Sequence, residues 1–251
     1  MANARRKSAG WTGRIALGAG WAAFDGSMGD NRIHAHHALQ LVLASRGTVT
    51  ASVAGEGEIT APGLLIDADL PHRVASGPAW MLFVDRESRI GEALALTCVQ
   101  GLRVLTRQQC SAALDFWPQS SAADLGPLLA ALGAQMPDRT ATGHGIDRVR
   151  RVIETLPGRR HLNTTLAALA GEASLSASHF RHRFRAMVGM PLRPYLRWLK
   201  LHRALTSAAA GADLSRAAQD AGFADGAHLS RTMQRHFGVP PMAILAALRT
   251  S

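Results

Sequence analysis

The sequence predicts a multidomain protein in which an N-terminal antiparallel β-barrel with trailing helices precedes a C-terminal all-α domain. Before about residue 85, short apolar and β-branched runs alternate with turn residues, as in antiparallel sheet proteins. After Ile146, apolar residues recur at helical spacing, and breaks at Gly, Pro and Ser divide the chain into about seven helices. The polar stretch MPDRTATGHG between the two patterns is typical of a linker. We therefore expect a barrel domain over residues 1–135, a linker over residues 136–145 and a helical domain over residues 146–251.

Charge divides at the same place. The chain has 251 residues, of which 47% are hydrophobic and 18% charged, the composition of a globular protein. Residues 1–145 carry 12 Lys and Arg against 12 Asp and Glu, whereas residues 146–251 carry 16 against 6. The second part therefore accounts for the whole formal net charge of +10. A neutral module joined to a basic one favours polyanion binding by the basic part, with a merely solvated basic face as the alternative.

Cysteine content and hydropathy indicate the cellular compartment in which the protein is expected. Two cysteines, Cys98 and Cys110, are too few for a disulfide scaffold or a four-cysteine zinc site. The first 24 residues have a basic start and an apolar continuation, but glycines interrupt that continuation and it lacks a convincing export cleavage site. No run approaches the roughly 18 continuous apolar residues of a membrane span. We expect a cytoplasmic protein without a membrane partner.

The barrel prediction depends mainly on residues 39–66. Their strand-like runs are separated by turn signals at Arg46-Gly47, at Gly55 to Gly57 and at Pro62-Gly63. From about Ser88 the spacing becomes helical, and the stretches SRIGEALALT and SAADLGPLLAALGAQM each present one apolar face. Those faces either pack on the barrel or form the seam of a homodimer, which we expect this protein to be.

The basic half contains an internal repeat that includes the stretch SHFRHRFRAMVG, which begins at Ser178. Moving forward 49 residues from His179, Phe180, Phe184, Gly189 and Pro191 gives His228, Leu229, Met233, Gly238 and Pro240. Upstream the offset is 48, because Ala170 and Leu175 correspond to Ala218 and Phe223. An internal duplication with one extra residue in the second copy explains both offsets.

Each copy is predicted to form a helix-turn-helix unit. Gly222 permits the positive φ that the second turn needs, whereas Ser174 is a weaker residue at the same place in the first copy. Ser176 and Asp225 are good N-cap residues for the second helix of each unit. Between the copies, residues 192–210 have helical apolar spacing and would span about 28 Å. That length approaches the roughly 34 Å between successive major grooves on one face of DNA.

The C-terminal residues resemble a known family. The stretch from about Ile146 to Arg249 is similar to the DNA-binding domain of AraC/XylS transcription regulators, with GF at Gly222, HLSR at His228 and HFGVPP at His236 as the distinctive motifs. The resemblance implies a transcription regulator, activator or repressor, that binds two successive major grooves of double-stranded DNA. It implies no enzymatic activity, and it makes RNA polymerase a candidate partner.

The first unit should supply most of the sequence discrimination. Since Phe180 and Phe184 must face the core, four polar residues project outward. By resemblance, the base-reading positions are Ser178, Arg181 and His182. Arg185 is, by the same resemblance, a phosphate contact. An Arg that grips guanine is worth about 1–3 kcal/mol of discrimination, although a phosphate contact is the open alternative for any single Arg. The matching positions of the second unit are Gly226, Ala227 and Arg231, of which only Arg231 has a hydrogen-bonding side chain.

Residues 31–86 resemble, more loosely, the cupin-like sensory domain at the N-terminus of many such regulators. On a strand, His34, His36 and Gln40 would point into the barrel together, His72 would arrive from a later strand, and His37 would point outward. These four inward residues, His34, His36, Gln40 and His72, are the candidate effector-binding residues. The alternatives are a bound metal, a small-molecule effector, a purely structural role for these histidines, and a binding pocket elsewhere in the domain.

Gln40 bears on the choice among these alternatives. Gln40 stands where cupin enzymes have an acidic metal ligand, so the site lacks a negatively charged ligand and tight metal binding is disfavoured. We therefore predict no cofactor. For the whole protein, two alternatives compete with an effector-responsive regulator: a cupin-type metal-dependent enzyme with a DNA-binding tail, and a DNA-binding protein without an effector. An enzyme explains neither the duplicated helix-turn-helix nor the segregated charge, and no Ser/His/Asp or phosphate-loop motif is visible.

Overall fold

A computed structural model describes residues 11–29, 32–118, 124–136 and 146–237. Its N-terminal half is rich in antiparallel sheet. The strands are β1 (Thr12–Gly18), β2 (Trp21–Met28), β3 (Ala38–Ala44), β4 (Val49–Val53), β5 (Gly57–Ala61), β6 (Gly63–Ile66), β7 (His72–Val74), β8 (Gly77–Asp85) and β9 (Leu102–Leu105). They form a six-stranded sheet in the order β1-β2-β8-β3-β6-β9 and a three-stranded sheet in the order β5-β4-β7.

Helices make up the described chain from Ile146 onward, and three shorter ones lie before the predicted linker. The helices of the described residues are α1 (Arg89–Ala95), α2 (Arg107–Asp115), α3 (Gly126–Ala131), α4 (Ile146–Thr155), α5 (Leu166–Glu172), α6 (Ala177–Val188), α7 (Leu192–Ala209), α8 (Leu214–Asp220) and α9 (Gly226–Phe237), with a 3-10 turn over Leu156–Gly158. This order confirms the predicted sheet-rich domain followed by an all-α region. None of the described helices is long and apolar enough to cross a membrane.

The core of the N-terminal domain forms on both faces of β3. Leu39, Leu41 and Leu43 are fully buried on the face that also carries α1, α2 and α3. Ala38 and Val42 point to the other face and share a core with the three-stranded sheet. The apolar faces of α1 and α3 are therefore used within the chain, which decides between the two expectations for those helices.

Two elements of this domain, β9 and α2, were not predicted from the sequence patterns. Strand β9 has only four residues, LRVL, which is too short to show alternation. Helix α2 has a weak apolar face, but its start carries a capping box in which Thr106 and Gln109 bond reciprocally. That capping box is the one sequence signal that could have predicted α2.

The signal-like N-terminus folds into the sheet. Strands β1 and β2 pair in continuous register from Thr12 opposite Ser27 to Gly18 opposite Trp21. The apolar run after the basic start is therefore part of the antiparallel sheet. The first ten residues, nearly all of the predicted linker and the end of the HFGVPP motif lie outside the described residues.

The sheet domain and the helical domain share one hydrophobic core and several polar contacts, which we call the interdomain contact. Its hydrogen bonds run from Trp198 Nε1 to Asp85 Oδ2 (2.8 Å), from the Arg89 amide to the Gly189 carbonyl (2.6 Å) and from the His37 amide to the Arg235 carbonyl (3.0 Å). Arg185 forms an ion pair with Glu92. Gly20, at φ 84°, packs so closely on Met190 that an added Cβ would lie 2.2 Å from the Met190 methyl carbon. The sheet domain thus lies against α6, α7 and α9.

Candidate nucleic-acid interface and histidine cluster

The two helix-turn-helix units have matching backbone geometry. In each turn, one amide donates back into the preceding helix over 2.9 Å: Leu175 to the Ala170 carbonyl, and Phe223 to the Ala218 carbonyl. The residue before it donates three positions back: Ser174 to Gly171 at 2.9 Å, and Gly222 to Gln219 at 3.0 Å. All four pairs obey the offset of 48 residues that the sequence repeat shows. The repeat therefore corresponds to a duplicated supersecondary structure.

Side-chain caps begin both helices of each unit. Oxygens of Thr165 and Asp213 accept from the amides of Ala168 (3.1 Å) and Arg216 (2.8 Å) in the first helices. At the second helices, Ser176 accepts from His179 (3.3 Å) and Asp225 from His228 (2.6 Å). Ser176 and Asp225 are thus N-caps, as predicted. Such caps satisfy amides at the helix start that have no partner within the helix.

The turn of the first unit holds a strained residue. Ser174 has φ 51°, in the left-handed region, and Gly222 has φ 80° at the same place in the second unit. A residue other than Gly is destabilising by about 1–2 kcal/mol in the left-handed region. A glycine there avoids this cost but loses more conformational entropy on folding, which offsets about 0.5–1 kcal/mol of the gain. We expect Ser174→Gly to stabilise the protein by about 0.5–1 kcal/mol in urea unfolding. The mirror change Gly222→Ser should destabilise it, and equal effects of the two changes would contradict this account of the turns.

Helix α6 presents the face that the sequence predicts. Phe180 and Phe184 are buried, and their stacked ring centroids lie 5.9 Å apart. On the opposite side, Ser178, Arg181 and His182 are exposed, and within the described part of the chain their side chains have no hydrogen-bond partner. The three predicted base-reading side chains of the first unit are therefore accessible.

Arg185 differs from the other three. Its side chain is 43% exposed and pairs with Glu92 of helix α1, so the sheet domain engages this guanidinium. The sequence could not reveal Glu92 as a partner, because the two residues are 93 positions apart and no local pattern connects them. The role of Arg185 as a phosphate contact stays a prediction.

Helix α9 presents a different surface. Leu229 and Met233 are buried, Ala227 and Arg231 are exposed, and Gly226 is half-buried. Ala227 and Gly226 offer no side-chain hydrogen bond, so Arg231 is the polar group among the three predicted contact positions. The face is placed as expected, and it offers fewer hydrogen-bonding side chains than the exposed face of α6.

Part of the positive charge of the helical domain serves its own structure. Lys200 donates to Asn163 Oδ1 at 2.7 Å and to the Gly222 carbonyl at 3.1 Å, and burial lowers the pKa of its ammonium group. Arg203 donates to the carbonyls of Pro157 and Arg159. These groups fix α7 against both units. With 18 residues, α7 is about 27 Å long, close to the length predicted for the spacer.

A buried histidine lies where α9 meets the sheet domain. His236 is 2% exposed, and its Nδ1 atom has no hydrogen-bond partner among the described residues. Burial, and secondly the charge of Arg197 and the neighbouring His37, lower its pKa to about 3. The folded protein therefore binds a proton here less readily than the unfolded chain does.

This histidine predicts acid sensitivity. Because the folded pKa lies below the unfolded value of about 6.5, its contribution to stability is present above pH 6.5 and is lost as pH falls, by up to about 1.4 kcal/mol per pH unit. We expect His236→Leu to flatten the fall of unfolding free energy between pH 6.5 and 5. His202→Ala on the exposed side of α7 is the control, and the same slope for His236→Leu and wild type would refute the prediction.

The four candidate effector-binding residues come together in the sheet domain. The ring centroids of His34, His36 and His72 lie 4.9–5.4 Å apart. Gln40 Oε1 lies 3.0 Å from His36 Nε2 and 2.9 Å from His72 Nε2. His36, His72 and Gln40 are buried and His34 is half-buried. We call these four residues the histidine cluster.

The cluster forms by a route that differs from the predicted one. His34 and His36 precede β3 rather than lying on a strand, and a bridge between the backbones of His34 and His72 holds the segment in place. His37 points outward, as expected, and its Nδ1 lies 2.6 Å from Asp69 Oδ1. Burial lowers the pKa of His36 to about 4 and that of His72 to about 3. Both rings are therefore neutral at neutral pH.

Two capped helix pairs joined by one long helix, with an exposed polar face on the first reading helix, define a double helix-turn-helix DNA-binding domain. The protein-family model described as "Helix-turn-helix domain" matches residues 169–247. Residues 169–247 thus belong to a helix-turn-helix domain, in agreement with the resemblance seen in the sequence.

Solved structures of other proteins are also similar. ToxT from Vibrio cholerae O395 is 10% identical, with a TM-score of 0.44, covering 98% of this chain and 100% of that chain. A DNA-binding transcriptional dual regulator from Escherichia coli K-12 is 21% identical, with a TM-score of 0.35 and coverage of 44% and 96%. An AraC-type regulator from Chromobacterium violaceum is 20% identical, with a TM-score of 0.36 and coverage of 41% and 92%. At these low TM-scores, the domain assignment depends on the family match and on the helix pairs themselves.

Proposed function

We propose that this protein is a sequence-specific transcription regulator whose N-terminal domain binds a small-molecule effector. The observation that carries the proposal is the exposed, unpaired trio Ser178, Arg181 and His182 on the second helix of a capped helix-turn-helix unit. A second unit follows at the end of an 18-residue helix, which suits two successive major grooves. The homodimer and the contact with RNA polymerase remain predictions.

The two helix-turn-helix units contribute differently to DNA binding. Helix α6 offers a hydroxyl, a guanidinium and an imidazole to base edges, whereas α9 offers one guanidinium beside Ala227 and Gly226. Hydrogen-bonding side chains distinguish base pairs in the major groove, and a guanidinium alone also binds any phosphate. The first unit therefore supplies most of the discrimination, and the second supplies mostly affinity.

Replacing Arg181 with Ala tests this division. If Arg181 grips a guanine, the variant should lose about 1–3 kcal/mol of discrimination at one base pair while other positions of the site keep theirs. Arg231→Ala is the matched control in the second unit. It should weaken binding to all sequences alike and reduce the slope of log K against log salt by about 0.9. Binding measured by fluorescence anisotropy on a set of single-base variants would contradict the proposal if Arg181→Ala weakened every sequence equally.

The interdomain contact offers a route from effector to DNA. The amide of Arg89 and the carboxylate of Glu92, both on α1, contact the C-terminal end of α6. An effector that binds one arrangement of the sheet domain better than another would shift how α6 is held. DNA affinity that did not change on removing or replacing the sheet domain would argue against this coupling.

A further inference from the structure

A cleft with an excess of positive charge opens on the helical domain, beside the turn of the first helix-turn-helix unit. It has a volume of about 370 Å³, and its walls are α4, the end of α5 and that turn. Its polar lining consists of Arg148, Arg151, Thr155, Arg159, Glu172 and Ser174. No predicted base-reading residue is among the described residues that line it. We call this site, where three guanidinium groups accompany one carboxylate, the basic cleft.

The carboxylate among the described lining residues is already paired. Nη1 and Nη2 of Arg159 donate to the two carboxylate oxygens of Glu172, with 2.9 Å between Nη1 and Oε1. This hydrogen bonding lowers the pKa of Glu172 and raises the pKa of Arg159, so both groups are charged at neutral pH. Arg159 Nη2 also donates to Thr155 Oγ1 at 3.0 Å. The charges of Arg159 and Glu172 therefore balance each other, and neither balances the other two guanidinium groups.

Arg148 and Arg151 keep donors for a ligand. Arg148 Nη1 donates to the Ser174 carbonyl at 3.2 Å, which holds this guanidinium against the turn. A guanidinium has five N–H donors, so Arg148 retains others. Arg151 is exposed, and within the part of the chain that the structure describes it makes no hydrogen bond or ion pair. Asp147 on the same helix pairs with Arg150 instead. Two positive charges therefore line the cleft without a balancing carboxylate from the described residues.

We propose that the basic cleft binds the terminal phosphate group of a small phosphorylated molecule, with Arg148 and Arg151 as the charged donors. The planar fork of a guanidinium matches two phosphate oxygens. A phosphate monoester carries about 1.5–2 negative charges at pH 7, so one such group balances both guanidinium groups. Ser174 lines the same cleft and is exposed, and its hydroxyl is a further, neutral donor.

Charge and shape favour this ligand over a carboxylate or a phosphate of the DNA backbone. A carboxylate and a phosphodiester each carry one negative charge, which leaves one guanidinium unbalanced. A volume of about 370 Å³ lies within the roughly 300–1,000 Å³ of small-molecule sites, and a cleft encloses a small molecule better than a duplex. In a protein that regulates transcription as proposed above, the ligand adds negative charge to the first unit and so weakens DNA binding. Phosphate binding itself does not depend on that function and is measured without DNA.

The test is the thermal midpoint of the full-length protein as inorganic phosphate or phenyl phosphate is added, against chloride of equal ionic strength. We expect a saturable rise with both probes and none with acetate or with dimethyl phosphate, a diester. Arg151→Gln, which breaks no contact among the described residues, should weaken phosphate binding about tenfold. Arg150→Gln on the same helix is the matched control, because it removes the same charge from a residue that does not line the cleft. Phosphate also stabilises proteins in general by exclusion from their surface, so the difference between the two variants decides the result.

Three results would overturn the phosphate site: no saturable rise, the same phosphate affinity in Arg151→Gln and Arg150→Gln, or weaker binding of random-sequence DNA in Arg151→Gln with unchanged phosphate binding. The third result would assign Arg151 to the DNA backbone, with a slope of log K against log salt that is smaller by about 0.9 than in the control. Loss of phosphate binding supports the site whether or not DNA binding also falls, and circular dichroism shows whether each variant is folded.

The phosphate site and the proposed function can fail separately. A chain that selects a DNA site but binds no phosphate would overturn this inference alone. A chain that binds phosphate through Arg151 but selects no DNA site would overturn the proposed function alone.

Discussion

Replacing Phe184 with Ala is expected to destabilise the protein by about 3–5 kcal/mol, because its ring lies at the centre of the helical core. Phe184 is 1% exposed, stacks on Phe180 and meets the Tyr195 ring edge-on at 5.5 Å. Truncation removes buried apolar surface and leaves a cavity that the α4, α6 and α7 packing can only partly fill. Since domains of this kind are stable by only about 5–15 kcal/mol, DNA binding should also be lost on modest heating.

Urea unfolding measures the effect of Phe184→Ala. The control is Arg181→Ala on the exposed face of the same helix, which should change the free energy of unfolding by less than about 0.5 kcal/mol. A loss below about 1.5 kcal/mol for Phe184→Ala would show that α6 is not docked through its phenylalanines. The orientation of its reading face would then be wrong.

The second large effect is expected at the bond from Trp198 to Asp85. Asp85 is 5% exposed, and its carboxylate accepts from Trp198 Nε1 at 2.8 Å and from the Glu87 amide at 2.9 Å. Trp198→Phe keeps an aromatic ring and removes the donor, so one buried carboxylate oxygen loses its partner. A hydrogen bond to a charged group is worth about 1.5–3 kcal/mol, and we expect a loss of that size.

A double-mutant cycle isolates the bond from the change in ring size. Asp85→Asn retains at most one of the two accepted bonds, and in the Trp198→Phe background it should cost less than in wild type. The difference between the two costs, measured by urea unfolding, should be about 1–3 kcal/mol. Additive effects would mean that this bond does not couple the two domains.

The helix-turn-helix units could be predicted because their determinants are local. Ser176 and Asp225 cap helices through amides three residues away, and the turn at Gly222 needs only its own positive φ. The strands between residues 38 and 66 could be predicted as well, because Gly and Pro residues mark the turns between them. Strand β9 was not, because four residues are too few to show alternation, and helix α2 offered only its capping box as a signal.

The sites were less predictable than the fold. His34 and His36 were expected to converge by strand alternation, yet they converge because backbone bonds to distant residues such as His72 shape an irregular segment. Neither the ion pair of Arg185 with Glu92 nor the hydrogen bond from Lys200 to Asn163 could be predicted from the sequence. Such pairings depend on how the chain folds back on itself, and neither partner shows them in its local sequence.

Selection of binding sites from random double-stranded DNA by the purified protein tests the central claim most directly. The account predicts an enriched sequence with two segments about one helical turn apart, of which one is sharply specified and the other tolerant. Arg181→Ala should blur one position of the sharp segment. Equally sharp segments would contradict the division between α6 and α9, and no enrichment at all would contradict sequence-specific DNA binding.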